Sequence, residues 1–157
     1  MGRMSDRRSR QPRPRGNTAN QSGRVSHAAD RLADCIVLAA RAPADPRTLA
    51  AWGQHIGVAR GTLRVWCRAA HTPARACLDF LRLLRAVQLS QGQAWDLFSL
   101  LNVIDERSIG RLLNRGRLKV FLQRTRPPSI EEFIAAQHFV ERADVVDAIL
   151  KRLAGNT

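Results

Sequence analysis

Negative charge is scarce in this sequence: 13 Asp and Glu stand against 26 Lys and Arg in 157 residues, a formal net charge of +13. Five of the acids lie beyond residue 128, which leaves the rest of the chain too poor in carboxylates for a metal-dependent nuclease site. Lysine is scarcer still, so 24 of the 26 cations are Arg, whose planar fork suits phosphate and guanine better than an ammonium does. No apolar run reaches the length of a membrane-spanning helix, and no signal-peptide pattern opens the chain. The expectation is a soluble, cytoplasmic protein with no membrane partner. Cys35, Cys67 and Cys77 cannot all pair and show no Cys-x-x-Cys spacing, as suits a reducing compartment. A Gly-rich phosphate loop, a His-Glu-x-x-His motif and a nucleophile elbow are all missing, and the four His are scattered. The composition therefore points to a polyanion binder rather than an enzyme, with no cofactor and no metal. An acidic membrane surface is the rival polyanion to nucleic acid. Cys67 and His71, four apart on one helical face, with Cys77 and His55 nearby, form the best metal candidate; the competing reading is buried thiols and a cation at a helix end.

What the sequence does contain is organised around residues 45–78, DPRTLAAWGQHIGVARGTLRVWCRAAHTPARACL. The stretch reads as a helix over Thr48–His55, a break at Ile56-Gly57-Val58 and a helix over Ala59–Ala70. At 100° per residue, Leu63, Trp66, Cys67 and Ala70 fall within an arc of about 100°, with Gly61, Arg64, Val65 and Arg68 opposite. The second helix thus has an anchored face and a cationic face, as a helix must if it is to bury one stripe and offer the other to a DNA groove.

The run Leu49-Ala50, Gly57-Val58, Thr62-Leu63, then Thr72-Pro73 and the helix LDFLRLLRAV resembles the first helix-turn-helix and linker helix of AraC-type transcription regulators. That family's pattern is a Leu-Ala start, a Gly-Val-Ser turn, a Leu in the recognition helix, a Gly-x-Ser-Pro break and an Arg-Leu-x-x-Ala helix. The resemblance covers about 45 of the 157 residues. Ala59 stands where the family prefers a capping Ser, Cys67 where it prefers Phe and His71 where it prefers Gly, and the break is one residue shorter. Loss of the capping Ser removes an acceptor worth about 1 kcal/mol, which predicts a helix start that is loose or otherwise capped.

Elsewhere the chain reads as helical. Residues 1–25 carry seven Arg and one Asp with almost nothing apolar, and are expected to form a disordered arm. The arm either follows phosphates or a minor groove, or serves only as a solubilising leader. Ala29, Leu32, Ala33, Ile36, Val37 and Ala40 predict an amphipathic helix over Ser26–Arg41, capped by Ser26, that covers the core or forms a dimer. A linker helix follows over 74–90, apolar on more than half its circumference and so buried on two sides. Residues 93–118 hold a candidate second helix-turn-helix: a helix Gln93–Leu101, a break at 102–104 and a helix capped by Asp105. There Ile109, Leu112 and Leu113 gather opposite Arg107, Arg111, Asn114 and Arg115, so that Arg60, Arg64 and Arg68 have counterparts 47 positions on. The segment lacks the Gly-Phe, Phe-x-x-x-Phe and Thr-Pro features of the AraC-type second unit. After Pro127-Pro128, Ser129 caps a helical hairpin over 129–154 whose net charge of −2 turns it away from DNA.

The expected fold is all-α: an arm over 1–25, a tandem helix-turn-helix domain over 26–126 and the hairpin, in about seven helices without strands. The expected function is a sequence-specific DNA-binding regulator. Arg64 reads a base, Gly61 permits close approach, Arg60 and Arg68 meet phosphates, and Thr62, Val65, Arg107, Arg111, Asn114 and Arg115 complete the contact surface. Double-stranded DNA is the main partner, with RNA polymerase or another regulator as a protein partner. No effector domain fits in this length. The alternative is a helical adaptor that binds protein through its folded part and nucleic acid, without sequence choice, through the arm.

Overall fold

A computed structural model describes residues 18–155. Eight α-helices follow one another: α1 Thr18–Ala40, α2 Leu49–Ile56, α3 Arg60–Ala69, α4 Ala74–Leu89, α5 Leu97–Leu100, α6 Glu106–Arg115, α7 Ile130–Ala136 and α8 Ala143–Ala154. A single 3-10 turn, Lys119–Gln123, follows α6, and no strand occurs among the described residues. The architecture is all-α.

The core forms around α4, in which every residue from Cys77 to Val87 is buried. Helices α1, α2, α3, α5 and α7 all pack on it, so its apolar circumference meets protein on nearly every side. Three charged side chains are enclosed with it, and each has partners. Arg82 binds the Asp45 carboxylate through both Nε and NH2. Arg85 donates to the carbonyls of Ala42, Pro43 and Leu100, gathering the loop before α2 and the end of α5. Burial lowers the pKa of its guanidinium, a smaller effect of Asp45 acting the other way. Asp79 receives Arg115.

Helix α1 begins at Thr18, so Ser26 lies exposed within it rather than capping it, and 18–25 belong to the helix instead of the arm. Extending an existing helix costs far less than starting one, and nothing in 18–25 breaks it. Val25 is half-buried there, beside a hollow shared with Arg142 and Asp144 at the start of α8. The rest of the expected arm, 1–17, lies outside the described residues. The predicted stripe from Ala29 to Ala40 is buried, and Ala28, Cys35 and Ala39 widen it enough to meet both α3 and α8.

Helices α2 and α3 meet at a tight turn. Thr48 caps α2 by accepting from the Ala51 N–H, and buried Trp52 donates its indole N–H to the Cys35 carbonyl on α1. Gly57 ends α2 in the left-handed region, φ 70°, and the Val58 N–H returns to the Gly53 carbonyl at 2.9 Å. A Cβ on Gly53 would stand 2.2 Å from the Val58 carbonyl oxygen, so this turn requires glycine there as well.

The same helix ending recurs three times. His71, Asn102 and Arg117 are left-handed at φ 53°, 46° and 57°, and the next residue donates back at 2.9, 3.0 and 2.8 Å to the carbonyls of Cys67, Phe98 and Leu113. The pair α5–α6 thus shares the helix ending of α2–α3, but its turn has one more residue between the left-handed position and the next N-cap, and α5 is a single turn rather than the expected helix Gln93–Leu101. Two contacts displace its start. Trp95 is drawn into the core, its indole N–H on the Phe121 carbonyl at 2.9 Å, and Asp96 then accepts from the N–H groups of Phe98 and Ser99.

Ser129 and Glu132 form a reciprocal capping box on α7. Helix α7 lies on α4 and α8 lies along α1, with Phe133, Val145 and Ile149 fully buried, so the hairpin completes the core.

Candidate nucleic-acid interface

Helix α3 shows the two faces expected of it. Leu63, Cys67 and Ala70 are buried, whereas Arg60, Gly61, Arg64 and Arg68 are exposed and Val65 is 57% exposed. Thr62 and Trp66 are half-buried. Ala59 makes no side-chain bond to the first turn, so the leading N–H groups of α3 have no side-chain cap.

Helix α6 is built alike, with a difference of rotation. Asp105 caps it by accepting from the Ser108 N–H at 2.8 Å and the Ser108 hydroxyl at 2.6 Å. These bonds, with Arg111 adding less, hold the Asp105 carboxyl below its usual range. Its anchors Ile109 and Leu113 correspond to Leu63 and Cys67, 46 positions earlier, and Arg117 corresponds likewise to His71. The arginines are 47 apart. The stripe of Arg107, Arg111 and Arg115 is therefore turned by one residue, about 100°, from that of Arg60, Arg64 and Arg68. In helical position Arg107 matches Gly61, Arg111 matches Val65 and Arg115 matches Ala69, so the expected equivalence of the two stripes does not hold. Arg107, Arg111, Asn114 and Arg115 are all exposed, but Arg115 donates through Nε to Asp79 Oδ2 at 2.7 Å.

Between the two helices lie adjoining hollows. One open hollow of about 420 Å³ is walled by Arg47, Arg75, Arg82, Arg111 and Arg115 over a floor of Ile109 and Leu112, with fully exposed Ile104 at its rim. A second, of about 340 Å³, shares Arg47 and Arg75 with the first and continues to Arg60 and Arg64. A third lies on the other side of α3, against Arg64, Arg68 and His71. The carboxylates beside the first hollow are already engaged: Asp45 by Arg82, Asp79 by Arg75 and Arg115, and Asp105 by the start of α6. Arg47, Arg60, Arg64, Arg68, Arg107 and Arg111 make no ion pair among the described residues, so their charge is directed at solvent. Elsewhere on the surface Arg142 is paired with Asp144 and Arg152 with Asp30 and Asp34, whereas the exposed Arg31, Arg41, Arg117 and Arg126 make no ion pair among the described residues.

Arg47, Arg75 and the buried Asp79 escaped the reading of the sequence. The spacing of Arg75 and Asp79, four apart on one helix, was the available signal. Arg47 carried none, since only the packing of the loop before α2 brings it beside α6.

The thiols of Cys67 on α3 and Cys77 on α4 meet in the core beneath this surface. The hydrogen bond between them holds Cys67 down and, with burial, pushes Cys77 well up, while burial raises Cys35 to about 11. Cys35 and Cys77 are packed, protonated thiols, and Cys67 packs against Cys77. Among the described residues no group of three or more His, Cys, Asp or Glu stands close enough to hold a metal ion.

No family model, no curated protein and no solved structure matches this chain. The likeness to AraC-type regulators rests on the residues quoted above.

Proposed function

We propose that this protein is a sequence-specific DNA-binding transcriptional regulator in which α2–α3 and α5–α6 are tandem helix-turn-helix units of AraC-like type. The observation that carries the reading is the pair of adjoining arginine-walled hollows running from Arg60 and Arg64 on α3, through Arg47 and Arg75, to Arg111 and Arg115 on α6. Their acids are engaged and their remaining guanidiniums are not. A face of that kind suits a duplex backbone, which carries a charge about every 1.7 Å of its axis. Helix α3 enters the major groove, with Arg64 donating to a guanine edge and Gly61 letting the helix approach. Arg60 and Arg68 meet phosphates. Helix α6, turned relative to α3, presents Arg107, Arg111 and Asn114 to the backbone. Such a regulator works at the nucleoid in the cytoplasm, beside RNA polymerase or a second regulator.

Selection of bound duplexes from a random pool tests the reading. Enrichment of one motif, relaxed at one base pair by Arg64→Ala, is the expected result. Retention of DNA with no motif enriched would instead identify a helical adaptor that holds nucleic acid without sequence choice.

A further inference from the structure

Asp79 is a carboxylate with 1% of its side chain exposed, in the most enclosed helix of the fold. Burying a charge is costly unless it is paired, yet its pairing is incomplete. Oδ2 accepts from Arg115 Nε at 2.7 Å, whereas Oδ1 lies 3.3 Å from Arg75 Nε without an aligned hydrogen bond. The two arginines come from different helices, α4 and α6, and both turn the same nitrogen inward. Their NH1 and NH2 groups make no hydrogen bond among the described residues. Both side chains are well exposed, at 62% and 41%, and both wall the 420 Å³ hollow.

Resting on the duplex-binding reading, we propose that Asp79 is a positioning residue that assembles Arg75 and Arg115 into a clamp for one backbone phosphodiester of the DNA. Arg115 is held by a hydrogen bond at Nε and Arg75 by an ion-pair contact at the same nitrogen, and each offers the NH1/NH2 edge outward, the edge that forms parallel bonds to two phosphate oxygens. Two cations against one carboxylate leave the clamp positive. Because Arg115 is already hydrogen-bonded and Arg75 already drawn into ion-pair contact, less rotamer freedom remains to be lost when the phosphate arrives. Arg47 and Arg111 flank the seat and add field without being tethered to Asp79.

The test has a sign that simple charge counting reverses. Asp79→Asn removes a negative charge from a DNA-binding face, which by itself would tighten binding. The clamp requires the opposite: weaker binding to a labelled duplex of mixed sequence, about tenfold at moderate salt, with the salt slope reduced by about one, the single phosphate that is no longer neutralised accounting for about 0.9. Arg75→Gln and Arg115→Gln should each reduce the slope by about one, and neither should add much to Asp79→Asn, since all three act on the same phosphate. Asp79→Asn binding as tightly as the parent, with the slope intact, would overturn the clamp and leave Asp79 as a pin between α4 and α6. Should Asp79→Asn fail to fold by circular dichroism, Arg75→Lys/Arg115→Lys decides. At unchanged net charge a single ammonium cannot both hold Asp79 and present a fork, so binding should weaken about tenfold, and parental affinity would overturn the proposal. Failure of the unaltered protein to bind the duplex at any salt would instead overturn the DNA-binding reading itself.

Discussion

Arg82 and Asp45 clasp one another across the fold, Nε and NH2 of the guanidinium lying 2.9 and 2.7 Å from Oδ2, with 10% and 3% of the two side chains exposed. The pair joins the core helix to the loop that leads into α2. Asp45→Ala leaves the Arg82 charge enclosed without its partner and should lower unfolding stability by about 3 kcal/mol. Asp45→Ala/Arg82→Met, which removes both charges, should recover part of that loss in denaturant titrations.

Two glycines of the first unit should respond in opposite ways to the same change. Gly53→Ala forces a Cβ to 2.2 Å from the Val58 carbonyl oxygen, so thermal melting should fall and duplex binding should weaken with it. Gly61 has nothing within 4 Å of its added Cβ and sits inside α3, where alanine should raise stability by about 0.5–1 kcal/mol. If α3 approaches DNA closely there, Gly61→Ala binds less well although it melts higher.

Arg64 touches the hollows on both sides of α3, whereas Arg68 touches only one. Arg64→Ala should cost about 1–3 kcal/mol of binding and relax selectivity at one base pair, while Arg68→Ala weakens all sequences alike. Titration against the selected site and each single-base variant separates the two. Uniform weakening by Arg64→Ala would place that arginine on the backbone.

Helix capping sets an acid limit on stability. Hydrogen bonds from Ser108 hold Asp105 below the usual carboxylate range, and the Ser129 N–H does the same for Glu132. A carboxylate whose pKa is depressed on folding stabilises the protein above its unfolded pKa, and that contribution is lost as pH falls through the folded value. Melting temperature should therefore hold at neutral pH and drop below about pH 4. Asp105→Asn, which keeps an acceptor but does not titrate, should make the drop shallower.

Much of this was legible because helix signals are local. Asp105 and Ser129 each cap the helix that their sequence context implied, Thr48 caps the helix it was expected to begin, and the buried faces of α3 and α6 follow from periodicity alone. Helix α4 lies where its pattern put it. The failures came where distant contacts overrode local pattern. Residues 93–96 read as helix, but the core draws in Trp95 and Asp96 starts the helix afterwards. Ser26 read as a cap, but α1 continues past it towards α8. The shared spacing of the two arginine stripes was visible, whereas their relative rotation was not, because the rotation is set by which residues face the core. Arg115 read as a DNA contact, and its tie to Asp79 spans 36 positions.

The packing of α1 against α8 also has a consequence in time. Arg152 of α8 meets Asp30 and Asp34 of α1, the latter pair 118 positions apart, and the long stripe on α1 is covered by a helix made more than a hundred residues later. At about 5–20 residues per second, a ribosome takes on the order of ten seconds to travel from one to the other. Throughout that interval α1 has a broad band of alanine, leucine and isoleucine without its final cover. Newborn chains should therefore engage chaperones until synthesis reaches α8, and emergence of α8, rather than completion of α3 and α6, should mark the moment of folding.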